Sequence, residues 1–227
     1  MERVLTCYQL HTGKLTRPVT FAVVSDLHDE GYDDLWPMID GADALLAPGD
    51  ISNRYRHSAT HGVAFLREAA RRLPTFFSPG NHETRQSNFS DLMAQIRRTG
   101  AEVLINRYVP FGECLIGGWY DPRVVARPDM MDDFERQPGC KVLLCHKPDH
   151  YIRRLRQRQV DLVVSGHAHG GQIRLGNQGI YAPGQFFFPK YTKGIVDGRM
   201  IISAGVGNPV GLPRWNNPCE VLRITLD

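Results

Sequence analysis

Residues 160–171 have the sequence VDLVVSGHAHGG, in which a short β-branched run, 162–165, ends in two histidines separated by one residue. A short apolar run bounded by glycine is typical of a buried strand. Residues i and i+2 of an extended backbone point the same way, so His167 and His169 can serve one metal ion or two adjacent ions. For this motif alone, a metal site and a plain strand-end turn both stay open.

Similar apolar runs recur before residue 160 and alternate with helix-period segments. They predict strands 20–25, 44–47, 75–78, 103–105, 114–117 and 142–145, and helices 58–73, 91–98 and 148–157. After residue 171 the pattern is β-rich and predicts strands 172–175, 194–196, 200–204 and 221–226, with Asp197-Gly198 as a two-residue hairpin turn. We therefore expect an α/β fold of two packed sheets with helices outside them.

Length and composition fit an ordinary soluble globular protein. The 227 residues suit one domain, 1–227, and the net charge of +3 suits an anionic substrate without arguing for nucleic acid. Five cysteines without CxxC spacing favour reduced thiols over disulfides or structural zinc. No run approaches the roughly 18 apolar residues of a membrane span, and the N-terminus lacks a signal-peptide core, so we expect a cytoplasmic location.

Four other predicted strands also end in residue types that bind metals. The segments are 25–28 (SDLH), 48–50 (PGD), 80–83 (GNHE) and 145–146 (CH). Each alone is commonly a turn or a core histidine, but ligands of α/β proteins bind beyond the carboxyl ends of strands, where all of these lie. Carboxylate, imidazole and amide oxygen without thiolate suit Mn²⁺, Fe or Zn²⁺. Two such ions can drive phosphoester hydrolysis, so the pattern favours a two-metal phosphoesterase.

The ordered motifs DLH, GD, GNHE, CH and GHAH resemble the calcineurin-like metallophosphoesterase superfamily, from about Phe21 to the C-terminus. The segments VDLVVSGHAHGGQIRL, YAPGQFFFPKYTKG, SAGVGN and PRWNNPCEVLRITL are similar to the YaeI-like bacterial phosphodiesterase subgroup. The superfamily fold is two facing mixed β-sheets flanked by helices, a four-layer sandwich. This implied fold agrees with the two packed sheets expected from the strand pattern.

The resemblance also implies a site. One divalent ion would be held by Asp26, His28, Asp50 and His169, and a second by Asp50, Asn81, His146 and His167. Asp50 would bridge the two ions, which would be Mn²⁺, Fe²⁺/Fe³⁺ or Zn²⁺. His82 would protonate the leaving group or clamp the phosphate. The implied activity is hydrolysis of phosphate esters, most typically diesters, by a metal-bridging hydroxide.

Two residues depart from the family pattern around His82. Many relatives have an aspartate that pairs with this histidine, where this chain has Asn53, and the subgroup often has asparagine where this chain has Asp29. Glu83 or Asp29 could supply the missing negative charge and keep the acid role. Otherwise His82 would act mainly as a hydrogen-bond donor. Relatives also frequently carry an N-terminal membrane anchor, which this sequence does not show.

Two further features stay open to more than one interpretation. Arg153, Arg154, Arg156 and Arg158 favour a solvated helix face over a nucleic-acid site, because no aromatic residues are interleaved with them. Three successive phenylalanines, 186–188, could form an apolar patch or lid near the site, or belong to the core between the sheets.

Three rival functions remain beside the phosphoesterase. The chain could be an interaction scaffold on the same fold, a nuclease, or a lipid-linked pyrophosphatase of the UDP-diacylglucosamine type. A complete ligand set argues against the scaffold, and the small charge argues against the nuclease. We expect a phosphate-ester substrate and no nucleic-acid partner. Peripheral membrane contact and the oligomeric state are left open.

Overall fold

The computed structural model describes residues 2–182, 185–209 and 213–227. Its strands in chain order are β1 (Arg3–Leu10), β2 (Val19–Val23), β3 (Ala44–Ala47), β4 (Thr75–Phe77), β5 (Glu102–Val103), β6 (Arg107–Phe111), β7 (Cys114–Gly118), β8 (Cys140–Leu144), β9 (Leu162–Ser165), β10 (Arg174–Leu175), β11 (Gln178–Gly179), β12 (Tyr181–Ala182), β13 (Phe186–Phe187), β14 (Gly194–Val196), β15 (Met200–Ile202) and β16 (Cys219–Leu226).

The helices are short apart from two. They are α1 (Trp36–Ile39), α2 (Thr60–Arg72), α3 (Asn81–Thr84), α4 (Phe89–Arg97), α5 (Pro122–Val125), α6 (Met131–Phe134) and α7 (Pro148–His150). Single 3₁₀ turns lie at Asp33–Leu35 and His169–Gly171, and a π-helical turn at Tyr151–Leu155 continues α7.

Two six-stranded mixed sheets face each other. The first has the order β1-β16-β2-β3-β4-β5 and the second β14-β15-β9-β8-β7-β6. Side chains alternate along each strand, so Phe21 and Val23 of β2 join the core between the sheets, while Ala22 joins the core under the outer helices. A third apolar cluster covers the outer face of the second sheet. This helix–sheet–sheet–helix arrangement confirms the expected α/β sandwich.

The N-terminal strand and one edge strand were not predicted. β1 exposes Leu5 and Cys7 and half-buries Thr6, so the ordinary alternation of apolar and polar residues is interrupted in the middle of the strand. It is held by parallel pairing with β16 along its whole length. β6 is an edge strand that contains Pro110, a residue that lowers strand propensity in the sequence.

Several predicted boundaries also change. The helix predicted over 148–157 is a short α-helix followed by the π-helical turn, and it ends at Leu155. The hairpin at Asp197-Gly198 exists, but Val196 pairs with Met200, so its loop has three residues. The strand predicted over 172–175 shrinks to β10, which pairs only with β11 and lies outside both large sheets.

The parallel strands position the functional residues. β2, β3 and β4 run parallel in the first sheet, and β7, β8 and β9 run parallel in the second. Their carboxyl ends bring the following loops together at one edge of the sandwich. Among the described residues, no helix has both the length and the apolar character needed to cross a bilayer.

Candidate metal centre

Every predicted ligand directly follows one of these parallel strands. Asp26 and His28 follow β2, and Asp50 follows β3. Asn81 begins α3 after β4, His146 follows β8, and both His167 and His169 follow β9. The loops from the two sheets are tied by backbone hydrogen bonds, such as that from the Val206 amide, after β15, to the Ser25 carbonyl, after β2, which is 2.9 Å long.

Two glycines allow these loops to approach closely. A Cβ atom on Gly166 would collide with the Ser25 hydroxyl and the Asp26 carboxylate. A Cβ atom on Gly80 would collide with the carboxylate and amide of Asp50. Neither glycine needs a left-handed conformation, so their function here is close packing.

The side chains form three overlapping groups that could hold metal ions. Within each group the potential ligand atoms lie within 4.8 Å of one another. The groups are Asp26, His28 and His169; His28, Asp50 and His82; and Asp50, His146 and His167. Asp50 and His28 each belong to two groups. Asn81, whose ligand would be an amide oxygen, lines the same cavity as Asp50 and His167.

Most of these residues have an unusual backbone conformation. Asp26, His28, Asp50, His167 and His169 all have φ between 47° and 69°, the left-handed region that residues with a Cβ atom rarely adopt. Such conformations cost free energy and cluster where a side chain must be aimed at a ligand. Here they turn side chains from successive strand ends toward one point.

Unpaired buried atoms indicate that the cluster fits cations. The Nδ1 atom of His146 donates to the Pro48 carbonyl oxygen at 2.8 Å, which leaves the Nε2 lone pair facing the Asp50 carboxylate at 3.1 Å. Both Nε2 of His146 and Oδ1 of Asn81 are buried without a hydrogen-bond partner. A buried nitrogen or oxygen lone pair of this kind requires a cation or a proton as its partner.

The pKa values of the clustered histidines and aspartates agree with metal binding. Burial lowers the pKa of His169 to about 3 and holds that of His167 well below its usual value, so both rings are neutral and can donate lone pairs. Burial opposes ionisation of Asp26, yet nearby His169 and His28 hold its pKa below the usual value. Burial would also lower the pKa of His146, but Asp50 outweighs it and raises that pKa to about 9. A proton shared with Asp50 thus takes the place a metal ion can fill.

Neither acidic residue expected near His82 reaches it. Glu83 is buried and accepts hydrogen bonds from the amides of Asp50, Ser52 and Gly80 at 2.7–2.9 Å. Asp29 instead accepts from the Ser58 hydroxyl and the Gly62 amide. Both carboxylates therefore stabilise loops. We expected one of them to stand beside His82 where relatives have an aspartate, and this expectation is wrong.

Asn53 does not contact His82 either. Its Oδ1 accepts from the amides of Tyr55 and Arg56, which closes a turn. The Nδ1 atom of His82 accepts from the Arg54 amide at 3.2 Å, which leaves Nε2 as the donor of a neutral ring. Burial lowers the pKa of His82 to about 4, although Asp50 acts in the opposite direction.

Five residues that the sequence did not single out also line the cavity, which has a volume of about 190 Å³. They are Arg54, Tyr55, Arg85, Lys147 and Pro209. Lys147 directly follows His146, and Arg85 lies two residues after Glu83, so adjacency to the motifs could have identified both.

The two features left open by the sequence are now assigned. Arg154, Arg156 and Arg158 form ion pairs with Asp121, Asp197 and the Asp132–Glu135 pair, so the basic cluster is largely neutralised. Phe186, Phe187 and Phe188 are 67%, 72% and 69% exposed, which excludes the core. Their hairpin is joined to the His169–Gly171 turn by the hydrogen bond from the Ile180 amide to the Gly171 carbonyl.

Several known proteins are similar to this chain in sequence or in structure. Protein YpbG of Bacillus subtilis, which is uncharacterised, is 28% identical over 87% of this chain and 78% of its own length. An uncharacterised metallophosphoesterase of Helicobacter pylori is 29% identical over 58% of this chain, which spans only 37% of that protein. The solved structure of the sulfate thiohydrolase SoxB from Thermus thermophilus has a TM-score of 0.48 at 13% identity, over 83% of this chain and 52% of that one.

A family model decides the assignment. The model for calcineurin-like phosphoesterases matches residues 19–171, about two thirds of the chain, and this range includes every predicted ligand. The chain therefore belongs to the calcineurin-like phosphoesterase family, and it is a hydrolase of phosphate esters with divalent metal ions as cofactors.

Proposed function

We propose that the protein is a phosphodiesterase that uses two divalent metal ions, Mn²⁺, Fe²⁺/Fe³⁺ or Zn²⁺. The observation that supports two ions is the position of Asp50, which shares one group with His28 and another with His146 and His167. A carboxylate between two clusters of imidazoles suits a bridging ligand. The similarity of the C-terminal segments to the YaeI-like phosphodiesterases supports a diester substrate.

The proposed ligand sets are those implied by the sequence. The first ion would be held by Asp26, His28, Asp50 and His169, and the second by Asp50, Asn81, His146 and His167. When bound, such ions supply a water-derived nucleophile at neutral pH and neutralise charge on the phosphoryl oxygens.

The protein's own residues hold the substrate and its leaving group. His82 lies in the cavity and presents a neutral N–H donor, which can bond a phosphoryl or leaving-group oxygen. Tyr55 packs edge-on against His82 and is 62% exposed, so this side of the cavity can accommodate a second ester substituent. Glu83 holds the loops of Asp50 and Gly80 together by accepting a hydrogen bond from each of these two backbone amides.

Metal content and hydrolysis test the proposal together. The protein is stripped with a chelator, reconstituted with Mn²⁺, Fe²⁺ or Zn²⁺, and assayed on bis-p-nitrophenyl phosphate and p-nitrophenyl phosphate. We expect close to two equivalents of metal and a higher kcat/KM for the diester. No bound metal under any condition would favour the scaffold, whereas activity on the monoester alone would exclude the diester preference.

A lipid-linked pyrophosphatase is the second candidate. The exposed phenylalanines at 186–188 favour it, because three adjacent aromatic side chains are costly to leave in water without a partner. They lie next to the turn that carries His169. A cytoplasmic location, with peripheral contact to a membrane, would suit either candidate.

A further inference from the structure

Three cations border the metal centre without an acidic partner. Arg54, Arg85 and Lys147 line the cavity together with Asp50 and His82. No carboxylate in the described part of the chain lies within 4.0 Å of any of the three.

These cations lie in one small cavity of about 190 Å³, where Lys147 is partly buried. Asp149 is the acidic neighbour on the same segment, yet it makes no ion pair with Lys147. Holding like charges in one cavity costs free energy unless a bound anion compensates them.

One of the cations also has an unused buried donor. Arg54 donates from Nη2 to the Tyr55 hydroxyl at 2.7 Å and stacks over that ring, while its Nε is buried without a partner. An unpaired buried guanidinium N–H is a strong donor for a phosphate oxygen. The Nε–H group of Arg54 is therefore a candidate donor to a bound anion.

The scissile phosphoryl group does not require all three cations. In the proposed function, on which this inference rests, two divalent ions and His82 would already neutralise and hold that group. A diester carries one negative charge there, so three further cations leave an excess of positive charge. A dianionic phosphate on the substrate would balance most of it.

We propose that Arg54, Arg85 and Lys147 form a subsite for a second phosphate group on the substrate, separate from the phosphate that is cleaved. The substrate class is thus a phosphodiester that carries an additional phosphate, on a nucleoside, a sugar or another alcohol. Specificity comes from this second group, because its contacts are made by side chains rather than by the metal centre.

A matched pair of chromogenic esters tests the subsite. Thymidine 5′-(p-nitrophenyl phosphate) is compared with the same ester carrying a 3′-phosphate, in the parent and in Arg85→Gln/Lys147→Gln. In the parent, the second phosphate should raise kcat/KM about 10- to 100-fold, the size of one or two charge-assisted hydrogen bonds. In the double variant, where only Arg54 remains, the ratio should fall at least several-fold toward one. Equal kcat/KM for both esters in the parent would overturn the proposal.

Two controls separate the possible causes. Arg98→Gln removes an exposed cation that lies outside the cavity and should leave the ratio unchanged. Arg85→Gln alone changes one exposed side chain and should give an intermediate ratio, which covers the case that the double variant does not fold. A ratio that stays at the parent value in folded Arg85→Gln/Lys147→Gln would assign the preference to other residues.

Binding gives a readout that does not depend on turnover. By calorimetry, adenosine 3′,5′-bisphosphate should bind the parent about tenfold or more tightly than AMP, and glucose 1,6-bisphosphate more tightly than glucose 6-phosphate. Preference in only one pair would identify a nucleoside or a sugar as the carrier. Failure of the phosphodiesterase proposal would appear as no hydrolysis of either ester, whereas failure of the subsite would appear as hydrolysis without discrimination and no bisphosphate preference in binding.

Discussion

The carboxylate of Asp50 lies 3.1 Å from Nε2 of His146, and the other nitrogen of that ring donates to the Pro48 carbonyl oxygen. Pro48 and Asp50 belong to the same loop, so this loop fixes the orientation of the ring whose lone pair faces its own carboxylate. A backbone carbonyl cannot be altered by a side-chain substitution. The Asp50–His146 pair is therefore tested by a substitution at Asp50.

Asp50→Asn should abolish turnover while the chain stays folded. The amide keeps an oxygen that can accept from the His82 amide, now 2.6 Å from Oδ1, but it loses the negative charge. We expect kcat to fall by more than the about 10–100-fold typical of losing a supporting contact, with metal content reduced. Circular dichroism provides the folding control. Near-parental activity with unchanged metal content would show that the bridge is assigned to the wrong residue.

Gly166→Ala should damage both stability and metal binding. The added methyl group collides with Ser25 and Asp26, and overpacking of this kind typically costs about 1–3 kcal/mol in the free energy of unfolding. Gly31→Ala is the matched control, since no atom lies within 4 Å of the new Cβ. Chemical denaturation and metal analysis measure the two effects. A variant as stable and as metal-rich as Gly31→Ala would mean that the β2 and β9 loops are not in close contact.

His82→Ala should slow aryl and alkyl phosphodiesters to a similar extent. No carboxylate in the described part of the chain hydrogen-bonds this ring, so we expect a hydrogen-bond donor to the phosphoryl group rather than a proton donor. A general acid typically contributes about 10²–10⁴-fold, and its loss is felt most by a poor alkoxide leaving group. The measurement is kcat on p-nitrophenyl and alkyl esters. A much larger loss on the alkyl ester would restore the acid role.

Replacing Phe186, Phe187 and Phe188 with serine should leave the melting temperature unchanged, because all three side chains are exposed. If the patch contacts extended apolar substituents, kcat/KM should fall on a long-chain diester and not on bis-p-nitrophenyl phosphate. Equal losses on both substrates, accompanied by a lower melting temperature, would indicate a structural role instead.

The sequence predicted which candidate ligands lie together better than it predicted their surroundings. Candidates such as His167 and His169 are recognisable because strand ends and glycines confine them to a few residues. The cation Arg54 is not, since it belongs to no motif and reaches the cavity only through the folded loop that carries it. The same limit explains β1, whose exposed Leu5 obscures its alternation and whose pairing depends on a strand more than 200 residues away.

That pairing has a consequence for synthesis of the protein. β16 inserts between β1 and β2, and it is made after every residue of the metal centre. Until the ribosome has produced it, the nascent chain carries two unpaired strand edges and an incomplete core. Translation adds about 5–20 residues per second, so this aggregation-prone interval lasts for seconds. We therefore expect aggregation of the nascent chain, which chaperones can prevent, to limit the yield of this enzyme more than the stability of the folded protein does.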